Sequence, residues 1–455
     1  MSKSKDNYWL KSGLFSLFEK GSVFIFGFGT TLLLLRHLTK EAFGIWVLFL
    51  ATSSFIEVGL IGLVQNGLVR YLSTAKGKKE YNTILNASLA LNIGLSLLSA
   101  IALLVFANTL SLWLKTPELE IMLRIYAGVI LLLIPFYHSN FAQQANLSFK
   151  GVFWSNITRK GLFFLIVAIF FFAGWEQNVI NLIYIQMAGA LAGSLVALRM
   201  GRSFLNWSMD INMKWIKKLL NYGRFVFGTN MSTMLYKTID KFMLGILLSP
   251  VAVAAYDLAI RITNLIDVPS FSVAAVVFPQ GARQSRDGGT KGLKELYEKS
   301  VGAILAIVLP FIVCVLLFPK LIVLIIAGEK YLDSIPILRM TILYGLFLPY
   351  AIQFGTVLDS IGKPRINFYL TLLGTILNIG FNYFFIKEYG VAGAAYGTLC
   401  TYTLTFIIYQ YVLKRMLEVD MFAPFKYIPR FYKQGYDIIL LGRNWGWREG
   451  KRNRK

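Results

Sequence analysis

Apolar stretches of about 20 residues follow one another from residue 14 to residue 413, separated only by short polar connections. Each is long enough to cross a hydrocarbon layer of about 30 Å as a helix. Lipid offers no water to an unpaired backbone N–H or C=O, so such a chain must satisfy those groups within helices. A closed strand barrel would need a weaker, alternating pattern. The expected fold is therefore all-α: a polytopic membrane protein of about 12 transmembrane helices. The spans read as 14–35, 42–64, 84–107, 121–142, 152–174 and 179–200, then 219–247, 251–278, 301–318, 335–358, 366–386 and 391–413. Residues 320–327 read as a short interfacial helix.

The net charge of +23 would suggest nucleic acid in a soluble protein, but the positions of the basic residues argue otherwise. With the amino terminus in the cytoplasm, Lys3, Lys5, Lys11, Lys76, Lys78, Lys79, Arg202, Lys214, Lys217, Lys218, Arg283, Arg286, Lys291, Lys294, Lys363 and Arg365 all fall inside. The outer loops keep only Arg36, Lys40, Lys115, Lys330 and Lys387. This positive-inside bias places both termini in the cytoplasm and leaves no role for nucleic acid as a partner. The first span lacks a small-residue cleavage site and reads as an uncleaved anchor. Cys314 and Cys400 lie in separate spans and read as packing residues.

The two halves carry a parallel repeat. His37-Leu38-Thr39-Lys40-Glu41-Ala42-Phe43-Gly44-Ile45-Trp46 leads into a span bearing Glu57, and Leu247-Leu248-Ser249-Pro250-Val251-Ala252-Val253-Ala254-Ala255-Tyr256 leads into one bearing Asp267. Trp46 and Tyr256, like Glu57 and Asp267, are 210 residues apart. Ala188-Gly189-Ala190-Leu191-Ala192-Gly193 matches Ala392-Gly393-Ala394-Ala395-Tyr396-Gly397 at a separation of 204. The expectation is two six-helix lobes, 1–205 and 206–413, followed by a basic aromatic tail, 414–455, on the inner membrane surface.

Charges inside spans cost roughly 2.5–3.5 kcal/mol each and persist only when paired or facing water. Here they are Glu19, Lys20, Glu57, Arg124, Arg224, Lys237, Asp240, Lys241, Asp257, Arg261 and Asp267. Two readings stand side by side: internal ion pairs such as Lys237 with Asp240 and Asp257 with Arg261, or groups lining a wet cavity. Arg124 and Arg224, near span ends, are also placed to snorkel. Glu57 and Asp267 occupy matching repeat positions, which suits binding of a coupling proton or cation as well as pairing with Lys20 or Arg261. Thr371, Thr375, Asn378 and Asn382 share one helix face and Thr398, Thr401 and Thr405 another, a spacing that serves sugar hydroxyls or helix-to-helix hydrogen bonds.

Ile239-Asp240-Lys241-Phe242-Met243-Leu244-Gly245 with Ser249-Pro250, then Ala255-Tyr256-Asp257-Leu258-Ala259-Ile260-Arg261-Ile262 and Phe278-Pro279, form one diagnostic run. Gly362-Lys363-Pro364, Leu377-Asn378-Ile379-Gly380-Phe381-Asn382 and Gly390-Val391-Ala392-Gly393-Ala394-Ala395 form another. In this order they resemble the polysaccharide exporter branch of the multidrug/oligosaccharidyl-lipid/polysaccharide flippase superfamily. That resemblance implies a flippase in the cytoplasmic (inner) membrane, with membrane lipids and an undecaprenyl-pyrophosphate-linked oligosaccharide as partners, serving O-antigen, capsule or exopolysaccharide biosynthesis by alternating access.

Carried onto this sequence, it implies substrate contacts at Arg261, Lys237, Lys241, Arg224, Lys20, Asn378 and Asn382. Ion coupling, by a proton or sodium ion, would fall to Glu57, Asp267, Asp240 and Glu19. Fixed cations suit a pyrophosphate that must trade its hydration for donors. No nucleotide-binding loop or zinc ligand cluster occurs, so neither a cofactor nor an enzymatic activity is expected. The alternative within the superfamily is a cation-coupled drug or small-molecule antiporter, which would favour an interior dominated by carboxylates.

Overall fold

The computed structural model describes residues 2–206, 211–286 and 289–441, and among the described residues it contains helices and no strand. The first helices are α1 (Ser2–His37), α2 (Lys40–Ser73), α3 (Gly77–Trp113), α4 (Pro117–Leu132), α5 (Ile134–Ala145), α6 (Phe149–Ala173) and α7 (Val179–Gly201). Then come α8 (Met213–Leu247), α9 (Pro250–Thr263), α10 (Asp267–Arg286), α11 (Thr290–Leu317), α12 (Pro319–Ile326), α13 (Ile335–Tyr344), α14 (Leu348–Ser360), α15 (Pro364–Tyr389), α16 (Val391–Leu417) and α17 (Ala423–Leu441). The side chains of residues 2–17, 20, 286, 434–435 and 437–441, and the tail beyond Leu441, lie outside the described residues.

Among the described residues nine spans are long and apolar enough to cross a membrane, and α4 with α5 makes a tenth across a 41° bend. The other two expected spans fall on α1, whose described apolar part is the shorter Gly21–His37, and on the 35-residue α8, which is not among those nine. The chain is an all-α polytopic membrane protein. Residues 320–327, expected as a short helix, form α12.

Three expected spans are each two helices. The break in 121–142 falls at Leu133, beside Pro135; that in 251–278 is a 3₁₀ turn over Asn264–Ile266, just before Pro269; that in 335–358 precedes Pro349. Proline lacks an N–H and its ring clashes with the carbonyl one turn back, so in each place the helix stops and restarts with proline in its first turn.

By contact the chain forms two compact units: Met1–Leu258 with Val323–Ser334 and Asn382–Ala394, and Ala259–Ile322 with Ile335–Phe381 and Ala395–Lys455. In the first unit α2 and α8 run antiparallel along nearly their whole length. Ring contacts join Tyr71 to Tyr222 and Phe55 to Phe242, and Leu48 lies against Gly245. A Cβ on Gly223 would meet the Leu63 carbonyl oxygen at 2.1 Å, and one on Gly44 the Pro250 carbonyl oxygen at 1.8 Å. Only glycine admits this approach.

The second unit has its own core, in which Val277, Leu293, Tyr297, Val301, Phe354, Val357 and Leu413 are buried together. Two of the helix breaks meet there: a Cβ on Gly345 would come within 2.5 Å of Ile266 Cδ1, and Thr263 donates to Thr341 at 3.0 Å. Helix α17 packs along α11, where the Tyr432 hydroxyl donates to the Ala306 carbonyl at 2.6 Å.

All the cations expected in outer loops are engaged. Arg36 donates to the Ile325 carbonyl, Lys40 pairs with Asp333, Lys115 donates to the Leu248 carbonyl, Lys330 to the Arg36 and Leu38 carbonyls, and Lys387 to the Tyr383 hydroxyl.

Candidate functional site: charges at mid-membrane depth

Glu57, halfway along α2, is the centre of a polar network. Its carboxylate accepts hydrogen bonds from the hydroxyls of Tyr126 on α4 (2.7 Å) and Tyr137 on α5 (2.6 Å), and from Nη2 of Arg159 on α6 (2.8 Å). The same guanidinium donates to the Tyr137 hydroxyl at 3.3 Å and lies over the Phe136 ring at 5.2 Å. The bend at Leu133 lets Tyr126 and Tyr137, on two helices, converge on one carboxylate.

On the other side of Arg159, α7 approaches through its small residues. A Cβ on Gly189 would lie 2.7 Å from the Arg159 carbonyl oxygen, and one on Gly193 would lie 2.8 Å from Arg159 Cβ. The Gly-x-x-x-Gly pair thus seats the helix that carries the guanidinium.

The next residue, Lys160, is exposed. The exposed apolar stripe of α6 is Trp154, Leu165, Ile169 and Phe172. At about 100° per residue Lys160 points roughly 140° away from that stripe. Its neighbour Phe163 stacks on Trp46 of α2 at 5.9 Å. Lys160 is therefore an accessible ammonium at the depth of Glu57, on the side of α6 turned away from the lipid stripe.

A second cluster forms where α8 turns into α9. The turn sets residues 16 apart at equal depth, so that Lys241 pairs with Asp257 at 2.6 Å and the Tyr256 hydroxyl donates to Asp240 at 2.6 Å. Asn382 also donates to Asp240. Asp257 is fully buried and Lys241 partly so. Lys241 thus reaches across the hairpin to Asp257.

The remaining expected residues are distributed more widely. Lys237 is exposed one turn before Lys241 on α8. Arg224 is exposed, with its guanidinium over the Phe225 ring at 4.9 Å. Arg261 is half-buried near the end of α9, and the half-buried Asp267 opens α10 beyond the 3₁₀ turn. Glu19 is half-buried on α1. Asn378 is buried and donates to Thr398 at 3.3 Å, a helix-to-helix bond. Sequence reasoning passed over Arg159, Lys160, Tyr126 and Tyr137. The two adjacent charges inside the expected span 152–174 were the available signal, and the tyrosines carried none.

These features define a polytopic helical membrane protein with fixed charges inside its bundle. The family model for polysaccharide biosynthesis proteins matches residues 33–336, and the chain belongs to that family. A Haloferax volcanii protein named for a low-salt glycan biosynthesis flippase, Agl15, is 23% identical over 230 residues, covering 50% of this chain and 49% of that one. A Shigella flexneri protein named as an O-antigen transporter is 21% identical over 419 residues, covering 90% and 99%. The chain spans about half the length of the archaeal relatives it matches. Among solved structures, the inward closed conformation of the lipid II flippase MurJ superposes with a TM-score of 0.75 at 16% identity, covering 95% of this chain and 94% of that one.

Proposed function

We propose that this protein is a flippase that carries a pyrophosphate-linked, polyprenyl-anchored oligosaccharide from the inner to the outer leaflet of the cytoplasmic membrane. It works by alternating access between two lobes, 1–205 and 206–413, with both termini in the cytoplasm. The carried molecule keeps all its bonds, so no catalytic residue is assigned. Relatives named for O-antigen transport, glycan flipping and teichuronic acid biosynthesis support this reading.

The observation that carries it is Lys160. A mid-depth ammonium turned away from lipid is costly unless it meets water or an anion, and a pyrophosphate needs such groups when it leaves the headgroup layer. Arg159 is committed to Glu57, which fixes α6 and with it the position of Lys160. Lys237, Lys241, Arg224, Arg261 and Lys20 are the further cations assigned to this path, with Asn378 and Asn382 beside it. Glu57, Asp240, Asp267 and Glu19 are the carboxylates at which a coupling proton or sodium ion would act. At Glu57 that role requires Arg159 to be displaced first.

The test is a leaflet-resolved translocation assay with labelled lipid-linked oligosaccharide in proteoliposomes. Lys160→Gln is expected to slow translocation on the order of tenfold, the scale of one charged hydrogen bond. A wild-type rate in that variant would remove the support for an anionic cargo at this depth.

A further inference from the structure

At the end of the bundle expected to face the cytoplasm, the first turns of α8 and the last turns of α2 enclose an open cavity of about 450 Å³. It is lined by Tyr71 of α2 and by Lys214, Lys217, Lys218, Asn221, Tyr222 and Phe225 of α8. The α8 residues recur at i, i+3, i+4, i+7, i+8 and i+11, one continuous face of a helix. The opposite side of this segment is anchored, with Leu219 fully buried and Gly223 against the Leu63 carbonyl.

Sequence reasoning assigned these lysines to topology. Their arrangement goes beyond it. The Lys218 ammonium lies 4.2 Å from the Trp215 ring centroid and 4.6 Å from that of Tyr71, and the Arg70 guanidinium lies 5.2 Å from that of Tyr222. Tyr71 and Trp215 meet edge to face at 5.6 Å. Aromatic faces thus hold Lys218 and Arg70 in place. Among the described residues no carboxylate pairs with Lys214, Lys217, Lys218 or Arg70, and none lines the cavity. Like charges gathered together repel one another, a cost that an arriving anion would relieve.

Position and shape narrow the anion. The lysines lie in the first turns of α8, and Tyr222 and Phe225 follow one to two turns further along it. The cavity is within the size range of sites for small molecules, about 300–1,000 Å³. Lysine ammoniums suit phosphate as mobile point charges, and Asn221 with the Tyr222 hydroxyl adds groups for a neutral polar substituent.

We propose that this pocket is a docking site for the phosphate or pyrophosphate group of a membrane-anchored anionic lipid, entered from the cytoplasmic leaflet. Which lipid arrives rests on the flippase reading; that a phosphate binds does not. If the lipid is the glycan carrier, the pocket is where it is captured before reaching Lys160.

The experiment uses the full chain in phosphatidylcholine nanodiscs, titrated with undecaprenyl pyrophosphate and followed by native mass spectrometry. Inorganic pyrophosphate and phosphatidylglycerol serve as separate competitors. The Lys214→Gln/Lys217→Gln/Lys218→Gln variant is expected to lose affinity by about tenfold or more, since it removes several charge-assisted contacts. The variant Lys363→Gln/Arg365→Gln, exposed on the same expected side of the membrane, is expected to bind as wild type. Equal competition by phosphatidylglycerol assigns the site to phospholipid headgroups, and preference for the pyrophosphate lipid assigns it to the carrier; both support a phosphate site. Wild-type affinity in the triple variant, or an equal loss in the control, overturns it. Failure of the flippase reading is seen separately, as absent translocation with binding intact.

Discussion

Arg159 of α6 and Glu57 of α2 meet at 2.8 Å, but they are not equally shielded: the arginine side chain keeps 7% of its exposure and the glutamate 23%. Removing either partner therefore has unequal consequences. Glu57→Ala strands a guanidinium in a nearly dry site, at a cost of about 3–5 kcal/mol. Arg159→Ala leaves a carboxylate that still holds two phenol donors and some water, and costs about 1–3 kcal/mol. Thermal unfolding in detergent should place Glu57→Ala below Arg159→Ala, and the opposite order would show that the glutamate is the more deeply buried charge.

The α2–α8 contact provides a comparison within one helix. Gly223 sits against the Leu63 backbone, while a Cβ on Gly228 would meet nothing within 4 Å. Gly223→Ala forces the helices apart and is expected to destabilise by about 1–3 kcal/mol. Gly228→Ala gains helix propensity, up to about 1 kcal/mol. Melting temperatures that move in opposite directions confirm the contrast; equal shifts would mean that the two helices do not rely on that contact.

Much of the fold was legible because hydrophobic length alone locates membrane helices. The three broken spans were less so, although Pro135, Pro269 and Pro349 were in view, because a proline in an apolar run fits either a kink or a stop. The repeat match of Gly189 with Gly393 has a counterpart in packing, since a Cβ on Gly393 would strike the Phe385 carbonyl oxygen at 2.0 Å. The match of Glu57 with Asp267 does not extend to local structure: one lies inside an unbroken helix and the other starts a new one after a 3₁₀ turn. The Arg159 network was hidden for a physical reason. Its members come from α2, α4, α5 and α6, and only tertiary packing decides which cation a buried carboxylate meets.

The hairpin pair Lys241–Asp257 supports a prediction about partners. Asp257 has no exposure and the Lys241 side chain keeps 17%. Lys241→Met removes an ammonium from beside a fully buried carboxylate, whereas Asp257→Asn leaves an ammonium that still reaches some water. The lysine variant is expected to accumulate less folded protein than Asp257→Asn does, and adding Asp257→Asn to it should recover part of the loss. Fluorescence-detected size exclusion of tagged variants measures this. A double variant worse than either single one would mean that the residues act independently.

The pair Lys40–Asp333 tests the proposed transport cycle. Lys40 opens α2 and Asp333 lies in the 3₁₀ segment after α12, both on the side expected to face outward. Arg36 and Lys330 add bonds between the same two segments. On the flippase reading proposed above, with the cargo's exit path running between these segments, the bonds open once per cycle. Locking them should stop transport without harming the fold. In a background with Cys314→Ser and Cys400→Ser, both native cysteines being free, Lys40→Cys/Asp333→Cys is treated with a short thiol-reactive linker. Translocation is expected to fall to the protein-free baseline and to return on reduction of a cleavable linker, while each single cysteine variant keeps its rate. Full activity in the cross-linked protein would mean that the outer ends stay joined throughout, and that cargo leaves by another route.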